Sequence, residues 1–168
     1  MMKFPLFACL VLSFVSLFMS VGCKKDAKMD NLKVPRLMVE ASGVNYGSLT
    51  GPEVTLPVSG TKISIQQEPL VNEFEIYNVD LVKVDMGKAL LIQVSEKGAR
   101  DLYRGSVSNM GRRIVFEVNG NAIGARRIDG AIQDGKFFTF VEVEDDALDD
   151  LVLDLKKSIA ELQTQYKY

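Results

Sequence analysis

The sequence predicts an α+β fold: an antiparallel or mixed β-sheet with two helices packed on one face, preceded by short N-terminal strands. Three observations carry this expectation. From residue 73 onward, several short segments alternate apolar and polar residues, the period of half-buried strands. Two segments, beginning at Ser95 and at Glu144, switch to the period of amphipathic helices. Tight-turn signals lie between neighbouring strand segments and return the chain antiparallel. Each helix must bury one stripe and the strands offer one apolar face, so stacking both helices on that face satisfies both needs.

The elements follow in order. Residues 1–22 contain one charge, Lys3, and no acid, and Phe4–Gly22 is an uncharged, mostly apolar run. A basic start, an apolar middle and small residues at the end describe an export signal. The run ends in "MSVGC" and is followed at once by "KKDAK". A small residue directly before a cysteine resembles the lipobox of bacterial lipoproteins, with Ser20 where leucine is usual. That resemblance implies a lipid-modified Cys23 as the new N-terminus, and hence a membrane anchor. Several acyl chains hold firmly, since each buried methylene adds about 0.8 kcal/mol. Two other readings of the segment stay open: an uncleaved membrane anchor, because 19 residues can just span a bilayer, and ordinary cleavage that leaves Cys23 free. Cys9 lies inside the signal, so Cys23 is the only cysteine of the processed chain and no disulfide is available.

Residues 23–33 are polar, charged and aperiodic, and read as a tether. In 34–71, "RLMVEA" and "EVTLPVSGTKISIQ" read as short strands, with turns at Gly47–Pro52 and Ser59–Thr61. Pro52 and Pro57 favour an edge or irregular strands. Residues 72–168 form the main domain. There "EFEIYNVDLVKVD" alternates, Asp85–Lys88 turns, and "ALLIQVS" is apolar enough for a central strand. The next helix has Ser95 as N-cap, Gly111 as stop, and Ala99, Leu102, Tyr103, Val107 and Met110 as its apolar face. "RRIVFEVN" is a strand with Ile114, Phe116 and Val118 on one side. Asn119-Gly120-Asn121 is a hairpin turn, and "AIGARRI" returns, with Gly124 as a bulge or close approach. "KFFTFVEV" is the last strand. The final helix carries the stripe Leu148, Leu151, Val152, Leu155, Ile159 and Leu162.

These residues carry a second resemblance. "QVSEKGARDL" (Gly98, Ala99, Arg100), "GRRIVFEVNGNAI" (Gly111, Arg112, Ile114, Val115, Gly120, Ile123) and "ARRIDGAIQDG" (Arg127, Ile128, Ile132, Gly135), followed by an acidic-started helix, resemble the head of the first periplasmic domain of SecD-type protein-export subunits. The likeness covers roughly residues 72–160. The family usually has "SAP" where this chain has Gly124-Ala125-Arg126. No further apolar run follows residue 22 to form the family's transmembrane helices. The resemblance therefore implies the fold and a capacity to contact polypeptides in the envelope, not translocation.

Composition narrows the chemistry. The net charge is −2, so bulk attraction to nucleic acid is not expected. The chain has no histidine, which removes the commonest general base and metal ligand. Ser95, Ser106 and Ser108 have no histidine to activate them, and no "GxSxG" is present. Glu142, Glu144, Asp145, Asp146, Asp149 and Asp150 lack calcium-loop spacing and read as acids at a helix N-terminus, with Glu142 facing solvent or a partner. Phe137, Phe138 and Phe140 read as core and sheet packing. No catalytic residue, metal or cofactor is expected.

The sequence thus predicts a non-enzymatic envelope lipoprotein that binds protein, linked to protein export, acting by contact at an exposed strand edge. Its membrane partner is reached through Cys23. Arg100, Arg112, Arg113, Arg126 and Arg127 are the expected partner-binding residues, with Arg126 and Arg127 foremost. Lys24 rather than aspartate after Cys23 points to the outer membrane. A structural or cell-surface role and an enzyme with an unrecognised site are the alternatives. The oligomeric state is not legible.

Overall fold

A computed structural model describes residues 32–41 and 50–166. The signal, Cys23, the tether up to residue 31 and the start of the turn expected at Gly47–Pro52 lie outside the described residues. Among those residues the elements are β1 (Pro35–Val39), β2 (Thr50–Thr55), β3 (Lys62–Gln66), β4 (Ile76–Val84), β5 (Gly87–Val94), α1 (Glu96–Ser108), β6 (Arg113–Val118), β7 (Asn121–Arg127), β8 (Lys136–Thr139) and α2 (Leu148–Tyr166). The strands form three antiparallel sheets, ordered β1-β6-β7, β2-β3 and β4-β5-β8. The fold is α+β, as the periodicities predict.

The first strand is more than a preface. β1 pairs along its whole length with β6, Leu37 opposite Phe116 and Met38 opposite Val115. This makes β6 the central strand of its sheet, and Ile114 to Val118 are buried on both faces. One face, with Leu37, Ile114, Phe116 and Val118, joins the main core together with Leu90 and Ile92 of β5. Leu102 of α1 and Val152, Leu155 and Ile159 of α2 enter the same cluster. The other face, with Met38 and Val115, packs on Val54, Leu56, Ile63 and Ile65 from the β2–β3 hairpin. The N–H of Lys33 donates to the Ser158 hydroxyl at 2.9 Å, and Val34 and Asn119 exchange two hydrogen bonds, so the lead into β1 is tied to α2 and the β6–β7 turn.

Two irregularities explain sequence spacings. In β4 the pairing slips between Ile76 and Asn78, so Tyr77 is an extra residue that points outward and both Ile76 and Val79 reach the core. Gln163 of α2 donates to the carbonyls of Phe74 and Ile76 at 2.7 and 3.2 Å and secures this bulge. In β7, Ala122 and Gly124 face consecutive residues of β6, leaving Ile123 as the extra residue. The turn before it has Asn119 at φ 53 and Gly120 at φ 76, the positive φ pair that an Asn-Gly hairpin supplies.

α1 differs from the expected packing. Ser95 caps it, accepting from the Gly98 N–H, but the buried residues are Gly98, Leu102, Gly105 and Ser106. Tyr103, Val107 and Met110 are exposed. At Gly98 and Gly105 the helix lies so close to its neighbours that no side chain fits beneath it. A Cβ on Gly105 would meet a methyl of Leu70 at 2.2 Å, and one on Gly98 would meet Val94 and Glu75. Leu102 is buried beside them, while Tyr103, Val107 and Met110 lie on the outer side.

The tightest approach to backbone is at Gly124, where a Cβ would lie 2.4 Å from the Phe140 carbonyl oxygen. Backbone cannot yield as a side-chain tip can. Gly124→Ala is therefore expected to lower stability by about 1–3 kcal/mol, outweighing the 0.4–1 kcal/mol that loss of glycine flexibility returns. Gly130→Ala, with nothing within 4 Å of its Cβ, is expected to stay within about 0.5 kcal/mol of the parent. Urea unfolding of both variants measures the contrast.

Candidate functional site

The close approach at Gly124 joins two sheets and then lets them part. Gly124 and Val141 form an isolated antiparallel bridge, and the Glu142 N–H donates to the Ile123 carbonyl at 2.6 Å. A continuing ladder would next align Ala125–Arg127 with Phe138–Phe140. Instead β7 is laddered only with β6, and β8 only with β5. A groove of about 490 Å³ opens between them, lined by Val84, Met86, Ala125, Arg126, Phe138 and Phe140.

The β4–β5 hairpin supplies one wall. Val84 pairs with Gly87, so Asp85 and Met86 form a two-residue turn with Met86 at the tip. Met86 is 84% exposed, Phe140 44% and Val84 38%. Together they make an adjustable apolar surface, methionine being the side chain that best adapts to varied partners. β8 supplies the other wall. Phe137 and Thr139 are buried, while Phe138 is half-buried and Phe140 faces out. The aromatic strand is thus core on one side only, and Phe140 belongs to the surface.

The five arginines singled out by sequence do not form one patch. Arg113 is held by Glu40 in a two-point pair at 3.0 and 2.7 Å. Arg112 donates to Asn109 at 3.0 Å. Arg127 lies 4.0 Å from Asp129, on an exposed strand end. Arg100 is exposed and lines a separate recess of about 310 Å³ with Ala99, Tyr103 and Gln133. Only Arg126 reaches the groove, where its guanidinium donates to the Phe138 carbonyl at 3.1 Å. Sequence reasoning missed Val84, Met86 and Phe140 as surface; the one available signal was a methionine at the tip of a hairpin.

Other polar groups have structural work. Glu142 does not face solvent freely: its carboxylate accepts from the N–H groups of Val58 and Ser59, both at 2.8 Å, and holds the β2–β3 turn. Burial raises its pKa, but these hydrogen bonds outweigh that and hold it below the ordinary range. Ser106 is buried, donating to the Tyr103 carbonyl and accepting from the Ile132 N–H, both at 2.9 Å. Ser95 is the helix cap. Neither serine has a base in place to activate it. Among the described residues no group of three or more acids or other ligating side chains converges to hold a metal ion.

One acid stands apart. Glu117 lies on β6 opposite Arg36, is 5% exposed, and its Oε1 is buried without a hydrogen-bond partner. Arg36 instead makes a two-point pair with Glu73 at 2.7 and 3.0 Å. Burial pushes the Glu117 carboxyl above its usual range, and the nearby Arg36 charge only partly opposes this. Glu40 and Glu73 are shifted the other way, held down chiefly by hydrogen bonds from Arg113 and Arg36.

Comparison with known proteins places the fold. No family model matches the chain, and no curated protein matches it significantly. Two solved structures do. A crystal structure of SecDF in a super-membrane-facing form superposes with a TM-score of 0.57 at 16% identity, covering 78% of this chain and 20% of its own. A structure of SecDF, described as a membrane component that enhances protein export, superposes at 0.55 and 14% identity, covering 81% of this chain and 70% of its own. The chain therefore has a SecD-like fold. It spans about a fifth of the length of the first of these structures.

The shifts at Glu117 and Glu40 have opposite consequences for stability. A raised carboxylate pKa favours the fold fully below the ordinary glutamate range and loses that contribution as pH rises through the folded value. Glu117→Gln cannot ionise, so it is expected to be more stable than the parent near pH 7, where the buried parent carboxyl carries the cost of burial. The gap should close near pH 4. Equal gaps at the two pH values in urea unfolding would contradict a Glu117 carboxyl whose pKa is raised by burial.

Proposed function

We propose that this protein is a non-enzymatic, membrane-tethered module of the bacterial envelope that binds extended polypeptide along the groove between β7 and β8. The observation that carries the reading is the parting of two strands beside an exposed apolar wall of Val84, Met86 and Phe140. An added strand gains affinity from backbone hydrogen bonds and specificity from alternate side chains set into pockets. The groove offers both, and the SecDF likeness supports a link to protein export in the periplasm.

In this reading residues 1–22 are the removed signal and Cys23 carries the lipid. Residues 23–33 form the tether, and the strands of 34–71 complete the α+β domain of 72–168. Lys24 after Cys23 favours the outer membrane in a host that has one. Among the described residues no helix is long and apolar enough to cross a membrane, so attachment in this reading falls to the N-terminal segment.

Two measurements test the proposal. Cys23→Ala is expected to abolish lipid labelling and release the domain into the soluble fraction; retention in membranes with an uncleaved signal would favour a transmembrane anchor. For the groove, a fluorescent peptide alternating valine and serine serves as the probe. Phe140→Asp and Met86→Asp are each expected to weaken its binding about tenfold or more, the loss of one buried apolar contact. Unchanged affinity in both variants would remove the groove as the docking site.

A further inference from the structure

Two backbone groups on the edge of β8 that faces the groove are taken by side chains. The Val94 N–H donates to the Gly135 carbonyl at 3.0 Å, and alternate residues of an antiparallel strand bond the same neighbour. Gly135, Phe137 and Thr139 therefore turn their backbone groups toward β5, and Lys136 and Phe138 turn theirs toward β7. Of these outward groups, the Lys136 N–H is taken by the Asp134 carboxylate at 3.1 Å. The Phe138 carbonyl is taken by Arg126 at 3.1 Å. An incoming strand needs those positions.

We propose that Arg126 is a guard on this edge: its guanidinium occupies the Phe138 carbonyl, blocks strand addition in the resting protein, and swings out when a polypeptide enters. This rests on the docking reading above and deepens it, since it says what regulates the site. The chemistry suits the role. Arg126 sits on an exposed stretch of β7 and makes one hydrogen bond across the opening, so exchange for a peptide N–H needs no rearrangement of the core. A charged side chain at an open edge also opposes unwanted pairing between copies of the chain. The guard differs from the contact role that the sequence suggests for Arg126. A contact residue adds affinity and a guard subtracts it, so the two make opposite predictions.

The test uses the full-length protein in detergent and two variants, Arg126→Ala and Arg126→Met. The second keeps an apolar stem of similar length but has no donor. Binding of the valine–serine peptide is followed by fluorescence anisotropy, and self-association by light scattering on eluting protein. A guard predicts about three- to tenfold tighter peptide binding in both variants, the worth of one displaced hydrogen bond. Unchanged or weaker binding, with the wild type binding normally, overturns the guard and leaves the docking reading intact. If neither wild type nor variants bind the peptide, the docking reading fails. The guard then stands only if both variants self-associate more than wild type, and falls if they do not.

Discussion

The architecture turns on one backbone contact. At Gly124 the chain of β7 lies against the Phe140 carbonyl, closer than any side chain would permit. That contact sets the bridge to Val141 and joins the β1-β6-β7 and β4-β5-β8 sheets edge to edge. Because the contact is a single bridge rather than a ladder, the strands separate beyond it. The separation creates the groove, exposes Phe140 and brings Arg126 across to Phe138. The extra residue at Ile123 belongs to the same device, because a bulge increases local twist and turns β7 away from its neighbour.

Burial of β6 on both faces is the second organising feature. A strand with core on each side must be apolar at consecutive positions, and Ile114, Val115 and Phe116 are. Glu117 breaks the run, and its burial disfavours the ionised carboxylate, which the nearby Arg36 charge only partly offsets. The other paired acids, Glu40 with Arg113 and Glu73 with Arg36, sit at the sheet margin where water still reaches them. Their opposite pKa shifts follow chiefly from the arginine hydrogen bonds that Glu40 and Glu73 accept and Glu117 lacks.

Much of the fold was legible because its local signals were strong. The Asn119–Gly120 turn has the backbone geometry those residues favour, and the stripe of α2 from Leu148 to Leu162 is buried as its period requires. α1 was legible as a helix with the right cap, but only Ala99 and Leu102 of its expected apolar face meet the core. Its period shows an apolar stripe of Ala99, Leu102, Tyr103, Val107 and Met110, and nothing in periodicity reveals that the helix will dock through glycine and serine beside Leu102. The candidate site was less legible still. Arg126 stood out by its departure from a family pattern, while Val84, Met86 and Phe140 looked like any other strand and turn residues.

By itself, the sequence determined the segments, their periods and their turns, because these rest on interactions between residues a few positions apart. It also determined one limit on chemistry, since a chain without histidine lacks the commonest general base and metal ligand. Only the tertiary structure decided which faces met. The pairing of β1 with β6 across almost eighty residues, the approach at Gly124 and the scattering of the arginines depend on contacts between distant parts of the chain. Such contacts are chosen by the fit of backbone against backbone and by what space remains, and local period carries no record of either.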